Sequence, residues 1–135
     1  MSERLFVDGM NVLGSRPDGW WRDRPAAMER LTRRLAAYAE REGIDLTLVW
    51  DGREHTRVAG AGEGIEVRFA PGGPDAADRE IVRLIRAADD PASITAVSSD
   101  RRLRNSIKAA GAVGIGAGEL LDRMGASENP GGARS

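Results

Sequence analysis

The chain has 135 residues, 41% hydrophobic and 30% charged, a balance typical of one compact globular domain and not of a disordered segment. The absence of cysteine excludes disulfides, zinc–thiolate sites and thiol nucleophiles, and the single histidine, His55, excludes a mechanism that needs two imidazoles. The net charge of −1 shows that the protein is not basic as a whole, although all but one of its 20 basic residues are arginine, which reflects either a coding bias or a use in phosphate binding.

Hydrophobic periodicity divides the chain into alternating strands and helices. Short apolar runs bounded by turn residues predict buried strands, and apolar residues every three or four positions predict helices. In the first half these patterns predict a strand at 5–7, a helix at 23–41, a strand at 45–50, a mobile glycine-rich loop at 60–64 and a half-covered edge strand at 65–70. In the second half they predict a helix at 75–88, a strand at 94–97, a helix at 101–110, a strand at 112–115 and a helical turn or two at 119–124.

This alternation predicts an α/β fold, a three-layer α/β/α sandwich around a central, mostly parallel five-stranded sheet. We expect the domain to span residues 1–124 and the stretch 125–135, which lacks apolar content, to form a disordered tail. No apolar run approaches the roughly 20 residues that a membrane helix needs. The first residues lead directly into the strand pattern without a signal peptide, so we expect a cytoplasmic protein without membrane contact.

Aspartates stand where the predicted strands end. Asp8, Asp51 and Asp100 follow the first, second and fourth strands, and Asp75 and Asp78 open the helix after the third. The carboxyl ends of parallel strands meet at one edge of a sheet, so we expect these carboxylates to converge there. Crowded carboxylates raise one another's pKa unless a cation neutralises them, and Mg²⁺ prefers oxygen ligands. The pattern predicts a divalent-metal site able to activate water for attack on a phosphodiester.

Each aspartate also has a purely structural interpretation. Asp100 and Asp75 could cap the helices that follow them, and Asp78 could interact with a helix dipole. Asp51 could belong to a plain turn with Gly52. Asp8 is hardest to explain in this way, because a carboxylate directly after a buried strand is costly to bury without a partner.

Polar residues next to these aspartates are further candidates. Asn11 could bind a carboxylate or a phosphate, or could be an ordinary turn residue. Ser98 and Ser99 could donate to phosphate or to water, or could be small residues at a strand end. Arg101 follows Asp100 directly and could hold a phosphate backbone, as could the nearby Arg102 and Arg104, although two of these three are expected on a solvated helix face.

A loop rich in aromatic and basic residues follows the first strand. Trp20 and Trp21 lie in it between Arg16, Arg22 and Arg24. Such a combination can stack bases and hold phosphates. The alternative is that one tryptophan packs the next helix onto the sheet, and we expect one of the two to be buried.

Four short motifs occur in a characteristic order: Asp8-Gly9-Met10-Asn11, Asp51-Gly52, Ala77-Asp78 and Ser99-Asp100. This order resembles the NYN branch of the PIN-like nucleases, in particular the YacP-like ribonucleases, over about residues 4–122. The resemblance implies Mg²⁺ or Mn²⁺ and endonucleolytic cleavage of RNA, with Asp8, Asp78 and Asp100 in the metal-binding core, Asn11 beside them, and Asp51 and Ser99 in support.

One position departs from that resemblance. Related sequences often carry a second acid where this chain has Arg79, and Asp75, one turn earlier, could compensate. The leading hypothesis is therefore a metal-dependent endoribonuclease that acts on RNA, at the ribosome by family analogy alone. A non-catalytic RNA-binding module is the alternative that Arg79 favours. An aspartyl phosphatase is a weaker one, because Met10 stands where its second acid is needed.

Overall fold

A computed structural model describes residues 3–130. Its elements in chain order are β1 (Arg4–Asp8), α1 (Gly9–Leu13), α2 (Arg24–Glu42), β2 (Asp45–Asp51), α3 (Thr56–Gly60), β3 (Glu66–Ala70), α4 (Ala76–Ala87), β4 (Ile94–Val97), α5 (Arg101–Ala109), β5 (Val113–Ile115) and α6 (Ala117–Glu128). Short 3₁₀ turns cover Trp20–Arg22 and Pro91–Ser93. Of the helices in this part of the chain, none combines the length and the apolar character that crossing a membrane requires.

The five strands form one parallel sheet in the order β3-β2-β1-β4-β5, which confirms the predicted α/β class. The chain builds outward from β1 through β2 and β3, and then returns to place β4 on the other side of β1. The strand order therefore reverses between β1 and β4, the place where open parallel sheets bind ligands. Val7 pairs with Val97 across this boundary, so the next residues, Asp8 and Ser98, come side by side.

Two separate cores cover the two faces of the sheet, as the three-layer prediction requires. One core joins the sheet to α1, α2, α3 and α6, and contains Leu5, Val7, Leu35, Trp50, Leu120 and Met124. The other joins it to α4 and α5, and contains Phe6, Val49, Ile81, Ile85 and Ile107. Near-continuous apolar strands are what a sheet covered on both faces needs.

Strand alternation directs the terminal carboxylates toward α4. Phe6 of β1 and Val49 of β2 face the α4–α5 core. Successive side chains of a strand point to opposite faces, so Asp8 and Asp51, two positions further on, share that face. Both acids at the ends of these strands therefore lie on the side from which α4 approaches.

The glycine after Asp8 is required by a neighbouring side chain. Trp50 is fully buried against the start of α1. A Cβ atom placed on Gly9 would lie 2.6 Å from Cε3 of Trp50, closer than any van der Waals contact allows. Asp8 is thus a candidate site residue, and the glycine that follows it is required by packing against Trp50.

Helix α2 follows the pattern predicted for it. Asp23 caps it by accepting from the backbone N–H of Ala26 at 3.3 Å, and Pro25 lies in its first turn. It ends at Gly43, whose φ of 66° is the left-handed conformation that glycine adopts without strain. The short helices α1 and α3 were not predicted.

The C-terminal helix is longer than predicted. Residues 125–128, expected in the disordered tail, continue α6. Polar contacts hold this end: Arg34 of α2 donates to Glu128 at 2.9 Å, and Arg41 donates to Ser127 at the same distance. An apolar pattern cannot reveal such contacts, which is why the helix was expected to stop earlier. Residues 131–135 of the predicted tail lie outside the described residues.

Candidate active site

Asp8 lies at the centre of the site and is almost fully buried, with 5% of its surface exposed. Its Oδ1 accepts from the backbone N–H of Asn11 at 3.4 Å, which makes it the N-cap of α1. Its Oδ2 accepts from the hydroxyl of Ser98 at 3.5 Å. The carboxylate is therefore held between the helix that follows its own strand and the end of the neighbouring strand.

Asp78, in the first turn of α4, lies close enough to Asp8 for its charge to raise the pKa of that carboxyl. Burial, together with the charge of Asp78, raises the pKa of Asp8 from 3.8 to about 7. Burial, together with the charges of Asp75 and Asp100, raises the pKa of Asp78 to about 6. Both shifts have the direction expected when carboxylates are packed together with too little water to disperse their charge.

Asp100 and Asp51 both cap helices. Oδ1 of Asp100 accepts from the backbone N–H of Leu103 at 3.0 Å and caps α5, as its structural interpretation predicted. Oδ1 of Asp51 accepts from the backbone N–H of Ala77 at 2.9 Å, so the end of β2 caps α4. Each acid also lies close enough to Asp78 for its charge to raise the pKa of that carboxyl.

Asp75 does not have the role that its structural interpretation suggested. It stands at the N-cap position of α4, but its side chain makes no capping hydrogen bond. Its φ of 66° lies in the left-handed region, where a non-glycine residue is uncommon. The acid is exposed, and its charge also contributes to the raised pKa of Asp78. Asp51 thus provides the cap expected of Asp75.

The fit of this cluster to a metal ion depends on how many carboxylates can reach it. Between residues 3 and 130, no group of three or more acidic or histidine side chains has an arrangement that could hold a metal ion on its own. Mg²⁺, however, is commonly bound through one or two carboxylates, with waters and substrate phosphates completing its shell. The all-oxygen pair Asp8–Asp78 suits that mode of binding, and a closed protein cage does not fit.

Asn11 and Ser99 connect the elements around the cluster. The backbone N–H of Ser99 donates to Oδ1 of Asn11 at 2.7 Å, which ties the end of β4 to α1. The hydroxyl of Ser99 accepts from the backbone N–H of Ala117 at 2.9 Å, which ties the same segment to α6. Because Oδ1 of Asn11 already has a partner, its NH₂ group is the part of the side chain left to bind a ligand.

Ser98 has a more direct contact with the site than the sequence predicted. It is fully buried, and its Oγ accepts from the backbone N–H of Asp100 at 3.0 Å while its hydroxyl faces Asp8. The strand order provides the missing signal, because only pairing of β4 with β1 places this residue beside Asp8.

The amino-acid sequence matches the profile of the YacP-like NYN domain over residues 5–132. The chain belongs to the YacP-like NYN family. Two crystal structures of Rae1 (YacP) from Bacillus subtilis are similar to it, each with 26% sequence identity over 95% of this chain. The W164L mutant has a TM-score of 0.78 with 78% of its own chain covered, and the other structure has a TM-score of 0.71 with 76% covered. A search of curated proteins finds no significant match.

In this YacP-like NYN domain, a groove of about 580 Å³ leads away from the carboxylates between α4 and α5. Its acidic lining residues are Asp75, Asp78 and Asp100, and its basic ones are Arg79, Arg83, Arg86 and Arg102. Arg79 was expected only as the replacement of an acid, and Arg83 and Arg86 were not predicted as site residues. Their spacing along α4 could have indicated a basic helix face, because residues three or four apart lie on the same face.

The residues predicted to bind substrate have separate locations in the NYN domain. Arg101 is exposed beside Asp100, but Arg102 is the neighbour that lines the groove, and Arg104 instead donates to the carbonyl of Gly114 at 3.0 Å. Arg16 lines a different cavity, of about 250 Å³, together with Arg30.

The tryptophan loop also differs from the expectation. Trp20 is half-buried and Trp21 is 54% exposed, so the prediction that one of them is buried was wrong. Their rings meet edge to face, with centroids 5.9 Å apart and an interplanar angle of 86°. The two rings therefore pack against each other. Arg22, which follows them, is exposed. Trp50 is the tryptophan that fills the core.

Proposed function

We propose that this protein is a metal-dependent endoribonuclease that hydrolyses RNA phosphodiester bonds with Mg²⁺ or Mn²⁺. The observation that carries the proposal is that buried Asp8, at the point where the strand order of the sheet reverses, lies close enough to Asp78 for the charge of that acid to raise its pKa. Two acids placed together under an exposed groove gain little as a structural feature, because their repulsion costs stability. Binding of a catalytic cation would explain why Asp8 and Asp78 lie together.

Asp8 and Asp78 are the residues that would hold the cation, and Asp100 and Asp75 border the same place. A bound divalent cation would neutralise the carboxylates, polarise the phosphate and lower the pKa of water. Ser98 and the backbone N–H of Asn11 keep the carboxylate of Asp8 in a fixed orientation. This fixed geometry favours reaction, because little reorganisation is then needed in the transition state.

The remaining polar residues would position the substrate and support these acids. The NH₂ group of Asn11 would donate to a phosphate oxygen, and Ser99 would keep Asn11 in place. Asp51 would act through α4, whose first turn carries Asp78. The catalytic group in this proposal is Asp8, Asn11, Asp78 and Asp100.

Arg101, Trp20 and Arg22 remain candidates for contact with RNA because their side chains are at least partly exposed. Arg16 is a weaker candidate, because it lines another cavity. The proposal includes a cytoplasmic location, which a cysteine-free chain suits. Action at the ribosome is included by family analogy alone.

A non-catalytic RNA-binding module is the second candidate function. Two observations favour it: Arg79 stands next to Asp78, and no three acids between residues 3 and 130 are arranged to hold a metal ion. It differs from the enzyme in one measurable respect, because it binds RNA and leaves it intact.

The test is cleavage of end-labelled RNA with Mg²⁺, with Mn²⁺ or with a chelator. We expect metal-dependent cleavage that disappears in Asp8→Asn and persists in Asp89→Asn, a matched change at an exposed acid beyond the end of α4. Binding without cleavage in both metals supports the RNA-binding module. Release of phosphate from a small monoester, with RNA untouched, supports the phosphatase instead.

A further inference from the structure

The α4–α5 groove is lined by acids at one end, where Arg79 and Arg102 also lie, and by arginines along the rest of α4. The acidic end belongs to the cluster around Asp78, and the rest of the groove is lined mainly by arginine. Arg79, Arg83 and Arg86 follow one another at spacings of four and three residues, so they form one stripe along α4. Arg102 faces the same groove from α5.

Three of these four arginines have no carboxylate partner between residues 3 and 130. Arg83 forms an ion pair with Glu80, but Arg79, Arg86 and Arg102 form none in that range. Their positive charge is therefore not cancelled within the described chain, and all three are exposed. A row of such charges attracts an anion that is long enough to meet several of them.

The other lining residues indicate which part of an RNA strand the groove would contact. Val82, Leu103 and Ser106 are the remaining lining residues, and none of them is aromatic. Sequence-tolerant binding of single-stranded bases depends mainly on aromatic stacking. Guanidinium groups bind phosphate oxygens through paired N–H donors. The groove therefore suits the sugar–phosphate backbone and not the bases.

We propose that the α4–α5 groove binds the phosphate backbone of RNA on one side of the cleaved bond, without regard to sequence. This inference rests on the proposed function, because the reactive phosphate lies at the Asp8–Asp78 pair. From Asp78 to Arg86 the helix rises about 12 Å, so the bound strand must extend at least that far in one direction. Arg79, whose guanidinium donates to the carbonyls of Gly72 and Pro74 at 3.4 Å each, would be the first phosphate contact beyond the cleavage site.

Salt dependence of RNA binding tests the electrostatic part of the proposal. The full chain with Asp8→Asn keeps RNA intact, and Arg86→Gln with Arg102→Gln is introduced into it. The matched control is Arg33→Gln with Lys108→Gln, which removes the same charge at exposed positions that do not line the groove. Each lost phosphate contact lowers the slope of log K against log salt by about 0.7 for single strands, so we expect a loss of about 1.4 for the groove pair and little change for the control. Equal slopes for the two pairs overturn the proposal.

The length of the RNA tests whether the bound strand extends from the cleavage site in one direction only. A set of RNAs with one cleavage site is shortened step by step from either end, and wild type is compared with Arg86→Gln. We expect Arg86→Gln to slow cleavage of long RNAs several-fold, and to have no effect once the strand on one side is too short to reach Arg86. An effect independent of length, or the same from both ends, contradicts the proposal.

The failure of this inference is distinguishable from failure of the proposed function. If wild type cleaves RNA and the groove variants behave like the control pair, only the groove assignment fails. If wild type neither cleaves nor binds RNA, the proposed function fails with it. Circular dichroism and thermal melting confirm that each surface variant is folded before its binding is compared.

Discussion

The backbone N–H of Ala77 donates to the carboxylate of Asp51 at 2.9 Å, so the end of strand β2 fixes the start of helix α4. Asp78 is the next residue along that helix. Asp51, which was expected to support the metal-binding acids, therefore acts on the site through the backbone of α4. Its effect on the proposed reaction is expected to come from the position of Asp78.

Replacing Asp51 tests this connection. Loss of a capping side chain typically costs about 1 kcal/mol, so we expect Asp51→Ala to lower the free energy of unfolding by that amount. We also expect slower RNA cleavage and a higher Mg²⁺ requirement, because Asp78 loses its fixed position. Asp51→Asn keeps an acceptor oxygen and should retain most of both properties. Urea unfolding and cleavage rates across a Mg²⁺ titration measure the two effects, and equal behaviour of the two variants contradicts the capping role.

Asn11 allows a structural and a chemical role to be separated. Asn11→Asp keeps an oxygen for the backbone N–H of Ser99 but removes the NH₂ donor and adds a negative charge beside Asp8. We expect this variant to remain folded, with cleavage reduced at least tenfold. Asn11→Ala should lose stability as well, by about 1–3 kcal/mol if the Ser99 amide is left without a partner. Normal cleavage by a folded Asn11→Asp variant would falsify the donor role.

The contact between Gly9 and Trp50 predicts a steric effect of a single methyl group. We expect Gly9→Ala to destabilise the protein by about 1–3 kcal/mol, because the added Cβ overlaps a fully buried ring. The same change at Gly60 is the control, because no atom lies within 4 Å of its added Cβ. Guanidinium unfolding of both variants checks the difference, and equal stability argues against the packing requirement at Gly9.

Stability of the metal-free protein should depend on pH through Asp8. The pKa of its carboxyl is raised from 3.8 to about 7 by burial and by Asp78, so the folded state binds this proton more tightly than the unfolded chain. The free energy of unfolding should therefore fall as pH rises from about 4 to about 7, and level off above that. Asp8→Asn should remove the part of this dependence that comes from Asp8, because the titrating carboxyl is gone, and leave the part that comes from Asp78, whose pKa is also raised. Asp89→Asn should leave the whole dependence unchanged.

Mg²⁺ should reverse the order of stability of wild type and Asp8→Asn. Above pH 7 in a chelator, we expect Asp8→Asn to be more stable than wild type by about 1–3 kcal/mol, since one pKa unit corresponds to 1.36 kcal/mol. Mg²⁺ should raise the melting temperature of wild type and have little effect on the variant, because a ligand that binds only the folded state stabilises it by mass action. Equal Mg²⁺ shifts for the two proteins argue against Asp8 as a ligand.

Much of the fold was accessible from the sequence because β1, β2 and β4 are short apolar runs followed by Asp-Gly or by Ser-Ser-Asp. Those boundaries also located Asp8, Asp51 and Asp100 at the correct edge of the sheet. The short helices α1 and α3 were missed, since each has only five residues and one or two turns do not establish a helical period. The extension of α6 was missed because it depends on polar contacts with α2.

The site was less predictable than the fold, because its details depend on which strands are neighbours. The place of Ser98 beside Asp8 follows from pairing of β4 with β1, which the sequence does not specify. The cap that Asp51 provides to α4 joins residues 26 positions apart. Arg102 and Arg101 are equivalent in the sequence, and only the direction of α5 determines which one faces the groove.

The position of β1 between β2 and β4 makes the Asp8–Asp78 pair a product of both halves of the chain. Residues up to the end of β3 supply Asp8, and residues from α4 onward supply Asp78 together with the strand that shields the open side of β1. A fragment ending after β3 would leave β1 at the edge of the sheet, with Asp8 exposed to water and without Asp78. Two fragments divided at Gly72 and Gly73 would thus be inactive when separate, and RNA cleavage would appear only on their reassembly.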